Sequence, residues 1–117
     1  MVKAKGQEVN LLDLVPVRNM KWDKKDSGLI VLLKPKFTHP FFAKHILPRL
    51  KRPNYAIRLD EIGSYVWELF DGNLTVIELG ERLKNKFGDK VEPLFDRLAV
   101  FLQSMEKNRF IYFKKPL

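Results

Sequence analysis

Few residues in this 117-residue chain are of a type, or at a spacing, that could do covalent chemistry. His39 and His45 lie six positions apart, which matches no helical metal pair, and both read as surface histidines. Asp60 and Glu61 are adjacent carboxylates of the kind used in general acid-base catalysis, but a place at a helix start suits them to capping and to the helix dipole. Ser64 and Ser104 have no histidine near them in sequence, so a Ser-His-Asp arrangement rests on residue type alone. The six glycines form neither G-x-G-x-x-G nor a phosphate loop. The absence of Cys removes disulfides, thiolate metal sites and thiol catalysis together, and suits a reducing, cytoplasmic setting. No catalytic residue, metal site or cofactor is therefore expected, and the chain reads as a binding protein rather than an enzyme.

Recognition chemistry is better represented. The net charge of +8 is lopsided: residues 1–58 hold thirteen Lys and Arg against four Asp and Glu, whereas residues 59–117 hold nine against ten. An electrostatic partner is met by the N-terminal half, since potential follows the charges. The basic excess peaks in Lys34 to Asn54, which carries four prolines, six Lys or Arg, the phenylalanines Phe37, Phe41 and Phe42, and no acid. Lys44, Arg49, Lys51 and Arg52 could form an electrostatic rim that speeds capture of an acidic partner. The same segment could bind single-stranded nucleic acid by charge and stacking, dock on a folded protein through its phenylalanines, or simply be solvated.

A second recognition surface follows from periodicity. A helix with Pro93 in its first turn is apolar at Val91, Leu94, Phe95, Leu98, Ala99, Phe101, Leu102 and Met105, an arc of roughly 160° where about 100° suffices to face a core. The surplus edge, Phe95, Ala99 and Leu102, could line a groove. If Tyr55, Ala56, Ile57 and Arg58 form an edge strand beside it, their free main-chain groups offer pairing to an extended peptide. Duplex DNA is a poorer fit, because Glu92, Asp96, Arg97, Gln103 and Lys107 give that helix a polar face of nearly balanced charge.

The elements that must hold these residues are legible. Residues 1–9 are polar and read as frayed, and residues 10–15 as a helical turn or an extended arm ended by Pro16, which makes residues 1–15 an N-terminal arm. Val17 to Trp22 reads as a strand, followed by the turn Asp23 to Gly28. Leu29 to Leu33, apolar throughout, should be a central strand covered on both faces. Residues 34–54 are a basic, Pro-rich insertion in which Pro40 could open a short helix through about Leu47. Tyr55 to Leu59 gives a third strand. Asp60 caps a first helix that ends at Asp71-Gly72-Asn73. Thr75 and Glu78 form the signature of a capping box for a second helix, which stops at Gly88, with Leu74 and Leu79 spaced to pack on one another. Pro93 suits the first turn of a third helix, which runs to about Asn108, and Phe110 to Phe113 reads as a closing strand. Gly63 and Gly80 lie inside helices, where each costs up to about 1 kcal/mol relative to Ala, so close approach of another element should require them. The length suits a single domain. No signal-peptide core is present in the first ten residues, no run reaches the roughly eighteen apolar residues of a membrane helix, and no membrane partner is expected.

The run from Arg58 through Trp67 to Gly72, then Thr75-Val76-Ile77-Glu78-Leu79, then Phe101-Leu102 ahead of Phe110-Ile111, resembles the PqqD-like family, also called the RiPP recognition element. The similarity covers about half the chain, from Ile57 to Phe113. It implies a winged helix-turn-helix with an N-terminal three-stranded antiparallel sheet, three helices and a C-terminal strand. It further implies a non-enzymatic peptide chaperone that binds the leader of a ribosomally made precursor as an added strand between the third strand and third helix. The bound precursor is then presented to a modifying enzyme, in the founding case a radical enzyme using S-adenosylmethionine. The alternatives are a nucleic-acid-binding winged helix and a module docking through the basic loop. A monomer, or a homodimer built through the same edge, is compatible with either.

Overall fold

The computed structural model describes the backbone of residues 2–4 and 7–116 and the side chains of residues 10–116. The architecture is α+β. In chain order the elements are β1 (Val2–Ala4), β2 (Gln7–Val9), β3 (Val15–Arg18), β4 (Lys21–Lys24), β5 (Ile30–Pro35), α1 (Pro40–His45), β6 (Asn54–Arg58), α2 (Glu61–Leu69), α3 (Val76–Phe87), α4 (Leu94–Lys107) and β7 (Ile111–Lys114). They fall into two compact units, Met20–Ser64 and Met1–Asn19 with Tyr65–Leu117.

The first unit holds an antiparallel sheet of order β4-β5-β6. The strand expected at Leu29 to Leu33 is central but runs from Ile30 to Pro35: Ile30, Val31 and Leu32 are buried, Leu33 is half-buried, and Leu29 lies outside it and is exposed. Prolines sit where the sheet tolerates them. The Lys25 N–H donates to the Leu29 carbonyl, and alternation from there points odd residues of β5 toward β4, so Pro35 lacks an N–H only beyond the end of that strand. At the other end Ser64 joins the sheet to α2. Its hydroxyl accepts from the Ile30 N–H at 2.9 Å and donates to the Leu59 carbonyl at 3.3 Å, while the Leu59 N–H donates to the Ile30 carbonyl. The hydroxyl thus replaces one main-chain bond of the last pair, at the point where Asp60 caps the helix by accepting from the Gly63 N–H at 2.7 Å. Ser64→Ala leaves the buried Ile30 N–H without an acceptor and is expected to cost about 1–3 kcal/mol, measurable by denaturant unfolding.

In the second unit β3 pairs antiparallel with β7, and the Val17–Asp71 bridge lies outside that pair. The core is built from α2, α3 and α4, with Trp67, Phe70, Leu79 and Leu102 essentially inaccessible. Arg18 donates to the Trp67 and Glu68 carbonyls, both at 3.2 Å, at the C-terminal end of α2, where a cation complements the dipole. The capping box at Thr75 and Glu78 is formed, and it lowers the Glu78 pKa chiefly through the Thr75 N–H. Gly88 ends α3 at a φ of 62°, a left-handed conformation that costs a glycine little.

Lys84 then ties α3 to the segment before α4, donating to Asp89 at 2.9 Å and Glu92 at 3.0 Å. Hydrogen bonds to Asp89 and then Glu92 raise the Lys84 pKa, and the Lys84 hydrogen bond is the main cause lowering both carboxyls. The lowered carboxyls contribute stability that is lost as pH falls through their folded values, and the raised amine contributes stability that is lost as pH rises through its own. Lys84→Met should therefore lower the melting temperature slightly near neutrality, and melts across pH should show the difference closing in acid, in strong alkali and in high salt.

Four expectations are corrected. Val17 to Trp22 is two strands, β3 and β4, which pair with different partners and part at Asn19 and Met20, because the Asn19 N–H still bonds Phe110 while Lys21 already pairs with Leu33. Residues 2–4 and 7–9, expected to fray, pair antiparallel. Helices number four among the described residues, since the turn at Pro40 forms α1, followed by a 3-10 turn at Leu47–Arg49. Pro93 stands just before α4, at its N-cap after a cis peptide bond, rather than within its first turn.

Candidate functional site

β6 is the edge strand of its sheet, and among the described residues no strand pairs with its outer side. Which groups that side presents follows from two bonds bracketing the β5–β6 pair: Lys36 N–H to the Pro53 carbonyl and Leu59 N–H to the Ile30 carbonyl, both 2.9 Å. Bonded positions alternate along an antiparallel pair, and the register matches Leu32 with Ile57 and Lys34 with Tyr55. Tyr55 and Ile57 therefore turn their main-chain groups toward β5. Asn54, Ala56 and Arg58 turn theirs outward, giving three N–H and three C=O groups on an exposed margin. The strand is little covered: Tyr55, Ala56 and Arg58 are exposed and Ile57 half-buried.

The surroundings are cationic. Lys36 Nζ lies 5.5 Å from the centre of the Tyr55 ring, a cation–π distance. Lys44 closes α1, Arg49 closes the 3-10 turn, and Lys51 and Arg52 lead into the strand, all four exposed. They belong to the same compact unit as β6.

The α4 residues belong to the other unit. Phe95 is exposed and Ala99 half-buried, but Leu102, expected on a groove edge, is completely buried. At 100° per residue Leu102 falls between Leu98 and Phe95, one step to the core side of the edge that Phe95 and Ala99 form. Phe95 also explains a glycine. A Cβ on Gly80 in α3 would stand 2.6 Å from Cε1 of its ring, so α3 and α4 approach there as closely as they do because residue 80 has no side chain.

The residues weighed for catalysis are placed structurally. Asp60 caps α2, Ser64 completes the sheet, and His39 accepts from the Phe41 N–H as the N-cap of α1. Among the described residues no group of three or more His, Asp or Glu is positioned to hold a metal. Sequence reasoning missed Asn54, which supplies one of the three outward positions; finding it required the register, and the only sequence signal was its place directly after Pro53.

No curated protein and no solved structure matches the chain. A family model, described as coenzyme PQQ synthesis protein D (PqqD), matches residues 44–111, which take in β6, α2, α3, α4 and the start of β7. With more than half its length matched, the chain belongs to the PqqD family, the family of RiPP recognition elements.

Proposed function

We propose that this protein is a non-enzymatic peptide chaperone that takes up the leader of a ribosomally synthesised precursor as a strand on the outer side of β6 and presents it to a modifying enzyme. The observation that carries this reading is the unpaired row at Asn54, Ala56 and Arg58. An extended guest gains main-chain bonds there, and its side chains give selectivity. Family membership supports a peptide partner and an accessory role in biosynthesis. The basic residues Lys44, Arg49, Lys51 and Arg52 suit an acidic leader, whose association they would accelerate. Phe95 is exposed and Ala99 half-buried on α4, and the order of three helices followed by a strand supports the winged helix-turn-helix class. The modifying enzyme is of the radical S-adenosylmethionine type by family analogy, and the setting is the cytoplasm.

The test is titration of labelled leader peptides encoded beside this gene, followed by fluorescence polarisation. Saturable binding that slows in its association phase as salt rises is expected. Tight binding of duplex DNA without any peptide response would overturn the reading.

A further inference from the structure

From Lys36 to Arg52 not one residue is buried, although the stretch contains Phe37, Phe41, Phe42, Ile46, Leu47 and Leu50. Phe41 is 57 % exposed, Phe42 39 % and Phe37 37 %. A helix of six residues is too short to hold itself, and α1 packs mainly on the 3-10 turn that follows it. What organises it is a cluster of rings. Phe42 lies 5.6 Å from Phe37, 5.5 Å from His39 and 5.4 Å from Phe41, and Phe41 lies 4.9 Å from His45. The same segment carries Lys34, Lys36, Lys44, Arg49, Lys51 and Arg52, with no acid between residues 34 and 54. The three phenylalanines precede the residues that the family model matches.

The occupant of such a surface has to be apolar in depth and anionic at its face. Single-stranded nucleic acid stacks its bases on open ring faces, but here Phe42 is met by three neighbours at tilted or edge-on angles. A folded partner also covers clustered anchors, but six cations without one acid ask for a uniformly anionic face, which a bilayer presents over any area. A leaflet with anionic headgroups answers both requirements, since short amphipathic segments bury aromatic and aliphatic side chains at the headgroup boundary while Lys and Arg meet the phosphates.

We propose that the segment Lys34–Arg52 is a membrane-surface anchor for anionic phospholipid bilayers, with Phe37, Phe41 and Phe42 entering the headgroup boundary and the cations of the segment holding the lipid phosphates. No helix among the described residues is long and apolar enough to cross a membrane, and none is needed, because this segment lies on the surface. The expectation of no membrane partner rested on the length of apolar runs, which is blind to such contacts. The inference shares Lys44, Arg49, Lys51 and Arg52 with the leader's electrostatic rim, but its three phenylalanines take no part in peptide binding at β6.

The test uses the full chain and sedimentation with vesicles of phosphatidylcholine alone or mixed equally with phosphatidylglycerol. Binding to the mixed vesicles, little binding to phosphatidylcholine, and release by salt are expected. F41S/F42S, whose rings are exposed and whose fold is checked by circular dichroism, should lose roughly tenfold or more in vesicle affinity while keeping peptide binding. F41W should shift its emission to the blue on the mixed vesicles relative to wild type. Equal binding of F41S/F42S and wild type would overturn the proposal, as would equal binding to both vesicle types. Absence of vesicle binding, alongside phenylalanine-dependent binding of a single-stranded RNA oligonucleotide or of the modifying enzyme, would overturn it in favour of that partner.

Discussion

Ala56→Pro is expected to weaken leader binding by about 1–3 kcal/mol, roughly 5- to 150-fold, while leaving the protein folded. The Ala56 N–H points away from β5, so the substitution removes a donor that only a guest would use and leaves the guest's carbonyl unpaired. An edge strand accepts proline when the lost N–H faces outward. The control sits one residue away. Ile57 directs its N–H into the β5–β6 pair, and Ile57→Pro should break the sheet, visible as a fall in melting temperature or loss of a cooperative transition. The two variants together separate the guest's bonds from those of the fold. If Ala56→Pro melts like wild type and binds peptide equally well, strand addition on this edge is wrong.

Leu102→Ala should cost about 2–5 kcal/mol of stability, since the side chain is wholly enclosed and its removal leaves a cavity. Against the 5–15 kcal/mol typical of whole domains, that is enough to populate unfolded chains. Phe95→Ala removes a ring that is 41 % exposed and should cost distinctly less. The pair tests the division of labour on α4. Chemical denaturation should rank Leu102→Ala well below Phe95→Ala, and any loss of peptide binding in Leu102→Ala should follow its unfolded fraction. A Leu102→Ala protein as stable as wild type would show the position to be less enclosed than its geometry indicates.

Features written into a few neighbouring residues were legible in the sequence. The Thr75–Glu78 capping box, the Asp60 cap and the stop at Gly88 are local chemistry, and each is formed. The central position of β5 was legible because continuous apolarity leaves no face for solvent. Pairing partners distant in sequence were not. Nothing around Asn19 signals that the strand before it pairs with β7 while the strand after it pairs with β5. The candidate site shows the same division. Tyr55 to Arg58 could be read as a strand, but which of its residues face outward depends on the register with β5, and that turns on Pro53 and Leu59 at its two ends. Periodicity gave the breadth of the α4 stripe and not its rotation, which is why Leu102 was expected at a margin and lies in the core.

The brevity of β6 limits what it can do by itself. Five residues, three of them with outward groups, offer at most six hydrogen bonds, each worth about 1 kcal/mol net. Straightening five residues of a disordered guest costs about 1–2 kcal/mol apiece, so pairing and ordering nearly cancel. A tail with any other spelling would pair as well and still drift away, so discrimination among precursors has to come from what their side chains touch.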